Sequence, residues 1–293
     1  MADFAALDPR WLKMHPLPLP DAHADKNQRG KLLIVGGSRR VPGGIGLTAH
    51  AALCAGAGKV TLATIAAAAV PLGVAFPECA VVALDEAPTG EIAASAAAAL
   101  DAELSSYDAV IVGPAMTDAG AADGLLAELL RRLPACVTLV LDAAALHAAA
   151  NHGEALKQRA DQTIYTPHAG ELAAMLTMDR RAIDADPSAA LETAAARYGG
   201  ALMVKGATSY IAAGTVRLAY GGGGVGLATG GSGDVLAGLI GALAARGLAL
   251  LEALAWGTWL HGEAGRRLAE TVGPIGYLAR ELPAQIPRLM HPA

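Results

Sequence analysis

Short, continuously apolar runs alternate along this chain with Ala-rich segments of helical character, and that alternation limits the possible folds severely. Lys31–Val35 (KLLIV), Lys59–Thr64 (KVTLAT), Ala80–Leu84, Asp108–Val112, Val137–Leu141, Gln162–Tyr165 and Ala201–Val204 have the length and composition of buried strands. Between them the spacing predicts helices over about 47–55, 91–104, 119–132 and 188–198, with another opening at Gly170 and Glu171. Strands that are apolar at nearly every position bury both faces, so the expected fold is α/β, a mostly parallel central sheet covered by helices on each side. Ser209–Ala213 and Val216–Tyr220, joined through Gly214, alternate instead and read as a hairpin. Residues 1–25, with Pro16, Pro18 and Pro20, predict an irregular or extended arm packed on the body, and residues 26–293 a single domain.

Bulk composition narrows the class of function. With 54% hydrophobic and 17% charged residues the chain is neither disordered nor a coiled coil. A net charge of −5 and no basic run give no reason to expect a nucleic-acid partner. Cys54, Cys79 and Cys136 lie far apart without CxxC spacing, which fits a reducing cytoplasm rather than a disulfide framework. The opening residues carry acids and no apolar core of a secretory signal. The long apolar stretch Val235–Leu260 is interrupted by Arg246, Gly247 and Glu252, so it predicts two core helices and no membrane span.

Ligands of parallel sheets gather beyond the carboxyl ends of the strands. The residues expected there are Gly36, Gly37, Gly113, Asp142, His168, Lys205 and Gly206. Near the C-terminus, Gly221–Gly241 reads GGGGVGLATGGSGDVLAGLIG, a glycine-rich loop that opens a helix and carries one carboxylate, Asp234. Such a loop lets backbone N–H groups approach an anion, and the helix dipole favours negative charge at the same place. Asp234 is either a plain helix cap or a proton acceptor beside a phosphate. No GxxxxGK[ST] occurs, and the cluster Gly36–Gly46 lacks GxGxxG, so neither a P-loop nor a dinucleotide turn is expected. His168 is structural or functional. Lys205–Ser209 is a polar turn or a nucleotide contact. Asp142 and Glu171 cap helices or position water around a metal. His147 and His152 have no ligand spacing, HExxH and GxSxG are absent, and no metal ligands are assigned.

Several of these segments together resemble the ADP/ATP-dependent NAD(P)H-hydrate dehydratases, a family with a three-layer αβα ribokinase-like fold. The resemblance runs from about Lys26 onward through Leu32–Ser38 (LLIVGGS), Pro42-Gly43, Ala55–Gly58, Val112-Gly113-Pro114, Leu141-Asp142-Ala143, Thr166–Glu171 (TPHAGE), Val204–Thr208 (VKGAT) and Leu227–Leu236 (LATGGSGDVL). It implies repair of hydrated NADH or NADPH: a nucleotide phosphate, with Mg²⁺ assisting, activates the hydroxyl of the hydrate (NADHX or NADPHX) so that water is lost. Carried over, Asp234 is the base and the amides of Gly231, Ser232 and Gly233 form the anion hole. Lys205, Gly206, Ala207, Thr208, Ser209 and Gly233 contact ADP or ATP, while Ile45, Ala115, His168 and Asp234 face the hydrate. The family further implies a cytoplasmic homo-oligomer, a tetramer first. The chain departs from the usual wording at three places. Asp25-Lys26-Asn27 stands for His-Lys-Gly, Gly43-Gly44-Ile45 for Gly-Ala-Ala, and Gly113-Pro114-Ala115 for Gly-Pro-Gly. Residues 1–25 are too few for the epimerase domain that some members carry. The rival expectations are a kinase of a vitamin alcohol, of the hydroxyethylthiazole or pyridoxal type, and a non-catalytic nucleotide sensor.

Overall fold

The computed structural model describes residues 3–19 and 25–290; Pro20 lies outside them. Ten strands form one sheet: β1 (Ala5–Ala6), β2 (Lys31–Val35), β3 (Lys59–Ile65), β4 (Ala80–Leu84), β5 (Ala109–Val112), β6 (Thr138–Leu141), β7 (Thr163–Tyr165), β8 (Ala201–Val204), β9 (Ser209–Ala213) and β10 (Val216–Tyr220). Their order is β1-β10-β9-β8-β7-β6-β5-β2-β3-β4. Every neighbouring pair is parallel except the two made by β9, the first strand of the hairpin. The central strands β2, β5, β6 and β8 are buried along almost their whole length, as their unbroken apolar runs require.

Helix Ser232–Ala245 packs on β2, β5 and β6, and helices Leu250–Thr271 and Pro187–Tyr198 each pack on β8 and β9. Helix Gly44–Cys54 lies against Ser232–Ala245 so closely that a Cβ on Gly238 would sit 2.2 Å from Thr48 O. Small residues on both helices are what permit this approach, and it fixes the glycine loop relative to the sheet. Each fully buried Leu or Ile in this core contributes about 1.5–3 kcal/mol.

Register matters more for function than strand count. Val35 pairs with Val112, Val112 with Leu141, and Leu141 with Tyr165, so these strands end level. Gly36, Gly113, Asp142 and Thr166 therefore emerge side by side. Between β2 and β5 the strand order reverses, and such a switch point opens a crevice at the carboxyl ends.

Three local expectations are corrected. The arm holds a two-residue strand paired with β10 and a helix, Pro9–Met14, capped by the Asp8 carboxylate accepting from Arg10 and Trp11 N–H, both at 2.9 Å. The helix expected over 91–104 is instead two 3-10 segments, Ala94–Leu100 and Leu104–Ser106. Glu91 and Ile92 are taken up elsewhere: Glu91 Oε1 accepts from Thr117 N–H at 2.9 Å, and Ile92 bridges Glu86. Helix Ala66–Ala75 is unforeseen because Pro71 stands inside it. The expected break at Arg246-Gly247 does separate two helices, whereas Glu252 lies in the first turn of the second. Among the described residues no helix is long and apolar enough to cross a membrane.

Candidate active site

The glycine loop ends in Gly231 at φ +86, a left-handed conformation natural to glycine, and Gly231 is the N-cap residue of helix Ser232–Ala245. Asp234 is then the third helical residue and not the N-cap. The plain cap reading of Asp234 is thereby set aside. Instead its half-buried carboxylate faces the switch point. Its pKa is pushed up to about 7, first by burial and then by the neighbouring Asp142; Lys205 and the Ala115 N–H pull the other way without cancelling this. A carboxyl group held near neutrality is suited to taking and releasing a proton.

Lys205, at the end of β8, reaches across to the ends of β6 and β7. Its ammonium lies 3.0 Å from Asp142 Oδ1 and 3.8 Å from Glu171 Oε2. Burial opposes the charge on Lys205, but the carboxylates of Asp142 and Glu171 outweigh it and hold the pKa above the ordinary lysine value. Asp142 Oδ1 also accepts from the Thr166 hydroxyl at 2.7 Å. Burial raises the Glu171 pKa, against the pull of Lys205. Glu171 additionally forms a capping box with His168: His168 N–H donates to Glu171 Oε2 at 2.8 Å, and Glu171 N–H donates to His168 Nδ1 at 3.1 Å. With Nδ1 accepting, the His168 proton sits on Nε2, and the ring remains largely exposed at 57%.

A cleft of about 730 Å³ opens between the glycine loop, the β8–β9 turn and helix Leu250–Thr271. Lys205, Gly206, Ala207, Ser209, Ser232 and Gly233 line it, as does His168. Gly233 borders Lys205, whose Nζ would be 3.6 Å from a Cβ there. Thr208 is exposed beside this group. Asp234 and Ala115 are not among the residues lining the cleft. Ile45, expected near a substrate, is fully buried in the first turn of helix Gly44–Cys54. Gly44 and Ala115, two positions where the sequence departs from the family wording, are in contact: a Cβ on Gly44 would fall 2.5 Å from Ala115 Cβ.

Two side chains escaped the sequence reading. His261 lines the cleft, and its Nε2 is 2.9 Å from Ser232 Oγ. Burial pushes its pKa down to about 4, so the ring is neutral near pH 7. Its place in the middle of a long helix carried no strand-end signal. Thr166 was quoted as part of a motif, but its bond to Asp142 joins two strands and is invisible in one dimension. Among the described residues no group of three or more His, Cys, Asp or Glu side chains can hold a metal ion.

Comparison with known proteins agrees with this geometry. Residues 32–288 match the family model described as NAD(P)H-hydrate dehydratase. The ADP-dependent (S)-NAD(P)H-hydrate dehydratase of Xanthomonas campestris pv. campestris is 43% identical over 281 residues, covering 95% of this chain and 93% of that protein. Bifunctional NAD(P)H-hydrate repair enzymes also match, and the chain spans about half of their length. In structure, a ribokinase-like superfamily protein from Enterococcus faecalis superposes with a TM-score of 0.85 at 23% identity, covering 98% of this chain and 95% of that one. The ADP/ATP-dependent NAD(P)H-hydrate dehydratase from Bacillus subtilis, co-crystallized with ATP/Mg²⁺, gives 0.79 at 22%, covering 99% and 98%. The sheet with its flanking helices is thus the three-layer ribokinase-like α/β fold, and the chain belongs to the NAD(P)H-hydrate dehydratase family.

Proposed function

We propose that this protein is an ADP-dependent hydro-lyase that restores NADH and NADPH from their 6-hydroxy hydrates (NADHX and NADPHX). The observation that carries the reading is Asp234. It is a partly buried carboxyl group poised near pH 7 at the N-terminus of a glycine-loop helix, between a nucleotide-sized cleft and the sheet's switch point.

The nucleotide occupies the cleft, with Lys205–Ser209 and Gly233 along it and its terminal phosphate at the helix N-terminus. The amides of Gly231, Ser232 and Gly233 bind the charge that develops on the phosphate. Asp234 accepts the proton of the substrate hydroxyl as that oxygen attacks the phosphorus and AMP departs. The C6–O bond then breaks with phosphate as the leaving group, driven by the lone pair of the ring nitrogen. Loss of a proton from C5 restores the double bond, so water is removed overall at the expense of one phosphoanhydride. Phosphate leaves far more readily than hydroxide, which is why a nucleotide is consumed. Ala115 and His168 stand on the hydrate side, and buried Ile45 supports that wall.

Mg²⁺ commonly binds through one or two carboxylates plus substrate phosphates, not a dedicated protein cage. Asp142 and Glu171 suit that arrangement, being two acids beside the cleft that share a single ammonium. With the nucleotide bound they would hold the ion, which supplies charge neutralisation on the phosphates.

The same reading takes residues 26–293 as the catalytic domain and 1–25 as an arm. Trp256 Nε1–H donates to His15 O at 2.7 Å and Arg246 donates to Pro18 O at 3.0 Å, which supports an arm tied to the body. A cytoplasmic site of action and assembly into a homo-oligomer, a tetramer first, belong to it as well. The deciding experiment supplies prepared NADH hydrate, Mg²⁺ and ADP or ATP, and follows the absorbance of reduced nicotinamide. Recovery is expected with ADP. No recovery with either nucleotide, together with phosphorylation of hydroxyethylthiazole or pyridoxal, would replace the lyase with a kinase.

A further inference from the structure

The turn after β5 carries a residue its geometry disfavours. Met116 N–H returns to Gly113 O at 3.1 Å, which closes a four-residue turn with Pro114 second and Ala115 third. Ala115 has φ +57. A third residue at positive φ is normally glycine, because a Cβ there crowds the backbone. Strained residues of this kind persist where their surroundings hold them, often at functional sites.

What holds Ala115 is visible on two sides. Its methyl fills the space left by Gly44, where a Cβ would lie 2.5 Å from Ala115 Cβ and 3.0 Å from Val41 Cγ1. On the other side the buried Ser38 hydroxyl donates to Ala115 O at 3.0 Å and accepts from Val41 N–H at 3.2 Å. Ser38 thus stitches the loop that leads into helix Gly44–Cys54 to the turn after β5. The Ala115 N–H is near enough to the Asp234 carboxylate to favour its charged form, and helix Gly44–Cys54 packs closely along the helix that carries Asp234. Asp142, Lys205 and Glu171 are the charged groups that also face that carboxylate.

We propose that Gly44 and Ala115 are a matched pair whose task is to position Asp234: the missing side chain at 44 seats the Ala115 methyl, and the seated turn forms the wall beside the carboxylate. Ala115 is a positioning residue in this scheme, since it acts through Asp234. The inference rests on the assignment of Asp234 as the base of the dehydratase reaction. A methyl added at 44 pushes the turn away and frees the carboxylate to rotate; a methyl removed at 115 makes room again.

The test compares wild type, Gly44→Ala, Ala115→Gly and the double variant by hydrate turnover, ADP affinity from calorimetry, and the carbon-13 resonance of the Asp234 carboxyl carbon. Gly44→Ala is expected to lower kcat at least about tenfold while ADP affinity stays within about twofold, as for a misplaced catalytic group. The double variant is expected to recover kcat to within about threefold of wild type, the signature of two residues in contact. The Asp234 resonance should move in Gly44→Ala and return in the double variant. Unchanged kcat in Gly44→Ala overturns the pairing, as does a double variant no better than Gly44→Ala. A loss of ADP affinity that matches the loss of kcat overturns it too. If Gly44→Ala does not fold, a folded and active double variant supports the pairing, and an unfolded one overturns it. A wild type without dehydratase turnover would refute the proposed function instead, and the resonance would still report on the pair.

Discussion

Asp234 combines two properties that pull against each other. Its burial beside Asp142 makes it a good proton acceptor near neutral pH and a poor contributor to folding. Because its pKa in the folded chain, about 7, lies above the ordinary carboxylate value, the native state favours the protonated form. The associated stability is fully present below the ordinary value and is lost as pH rises through about 7. Asp234→Asn should therefore raise the stability measured by denaturant unfolding at pH 8 by about 2–4 kcal/mol, and leave it nearly unchanged at pH 4. The same substitution should cut turnover about 10²–10⁴-fold while ADP binding persists. In the wild type kcat should climb through about pH 7 and level off above it. Unchanged turnover in Asp234→Asn would remove its assigned role. Ser232 is a milder case. Its hydroxyl is shared with neutral His261, so Ser232→Ala should raise KM for ADP a few-fold, about the value of one hydrogen bond, with kcat little altered. Asp234 was legible in the sequence because a lone acid in a glycine loop has few other uses. His261 was not, since its meaning comes from a helix packing across the cleft.

At the scale of elements, the site depends on strands that end level. Asp142, Glu171 and Lys205 come from the ends of β6, β7 and β8 or from the helix turn after them, and only the register of the sheet brings them together. Asp142 and Lys205 were recognisable as strand-end residues, because buried strands have sharp apolar boundaries, and Glu171 as a residue opening the next helix. Their pairing was not, because a sequence does not state which ends are neighbours. The bounds of β2, β4, β8, β9 and β10 follow directly from their apolar or alternating runs. Helix Ala66–Ala75 was obscured by Pro71, whose missing N–H leaves the carbonyl of exposed Ala67 to water. The stretch from 91 to 104 shows the reverse: Ala-rich periodicity suggested a helix, but the buried Glu91 is drawn into bonds with Thr117 at the surface. The element-scale prediction concerns Lys205. In Lys205→Met the acids Asp142 and Glu171 lose their cation and repel each other, which should cost about 3–5 kcal/mol near pH 8. Lowering the pH lets Glu171, whose pKa is already raised, take up a proton, so the deficit should shrink by pH 5. A melting-temperature difference from wild type that does not change with pH would show that the ammonium does not serve these acids.

The two edges of the sheet differ, and the difference bears on how whole molecules meet. On one side the sheet ends in β1, only two residues long, which offers little for another chain to pair with. On the other it ends in β4, a five-residue strand bonded, among the described residues, only to β3, with Ala80 exposed and Val81 and Val82 half-buried. Next to it, helix Ala66–Ala75 (AAAAVPLGVA) has no charged residue, and Val70 and Val74 are 75% and 78% exposed, one helical turn apart. An open edge strand beside an uncharged helix face is costly for a protein that works alone, and it suits contact with a second copy. The homo-oligomer in the proposed function is most simply built there. Light scattering should then give the wild type a mass that is a multiple of 29.4 kDa, and Val70→Asp/Val74→Asp should fall to the mass of one chain. Aspartates at such exposed positions cost the isolated fold within about 0.5 kcal/mol each, so circular dichroism should remain that of the wild type. Thermal stability should lose its dependence on protein concentration in the variant, since assembly no longer favours the folded state. A variant that keeps the wild-type mass would move the interface elsewhere. A wild type that is monomeric at every concentration would leave the exposed valines without a partner copy and end the oligomer reading.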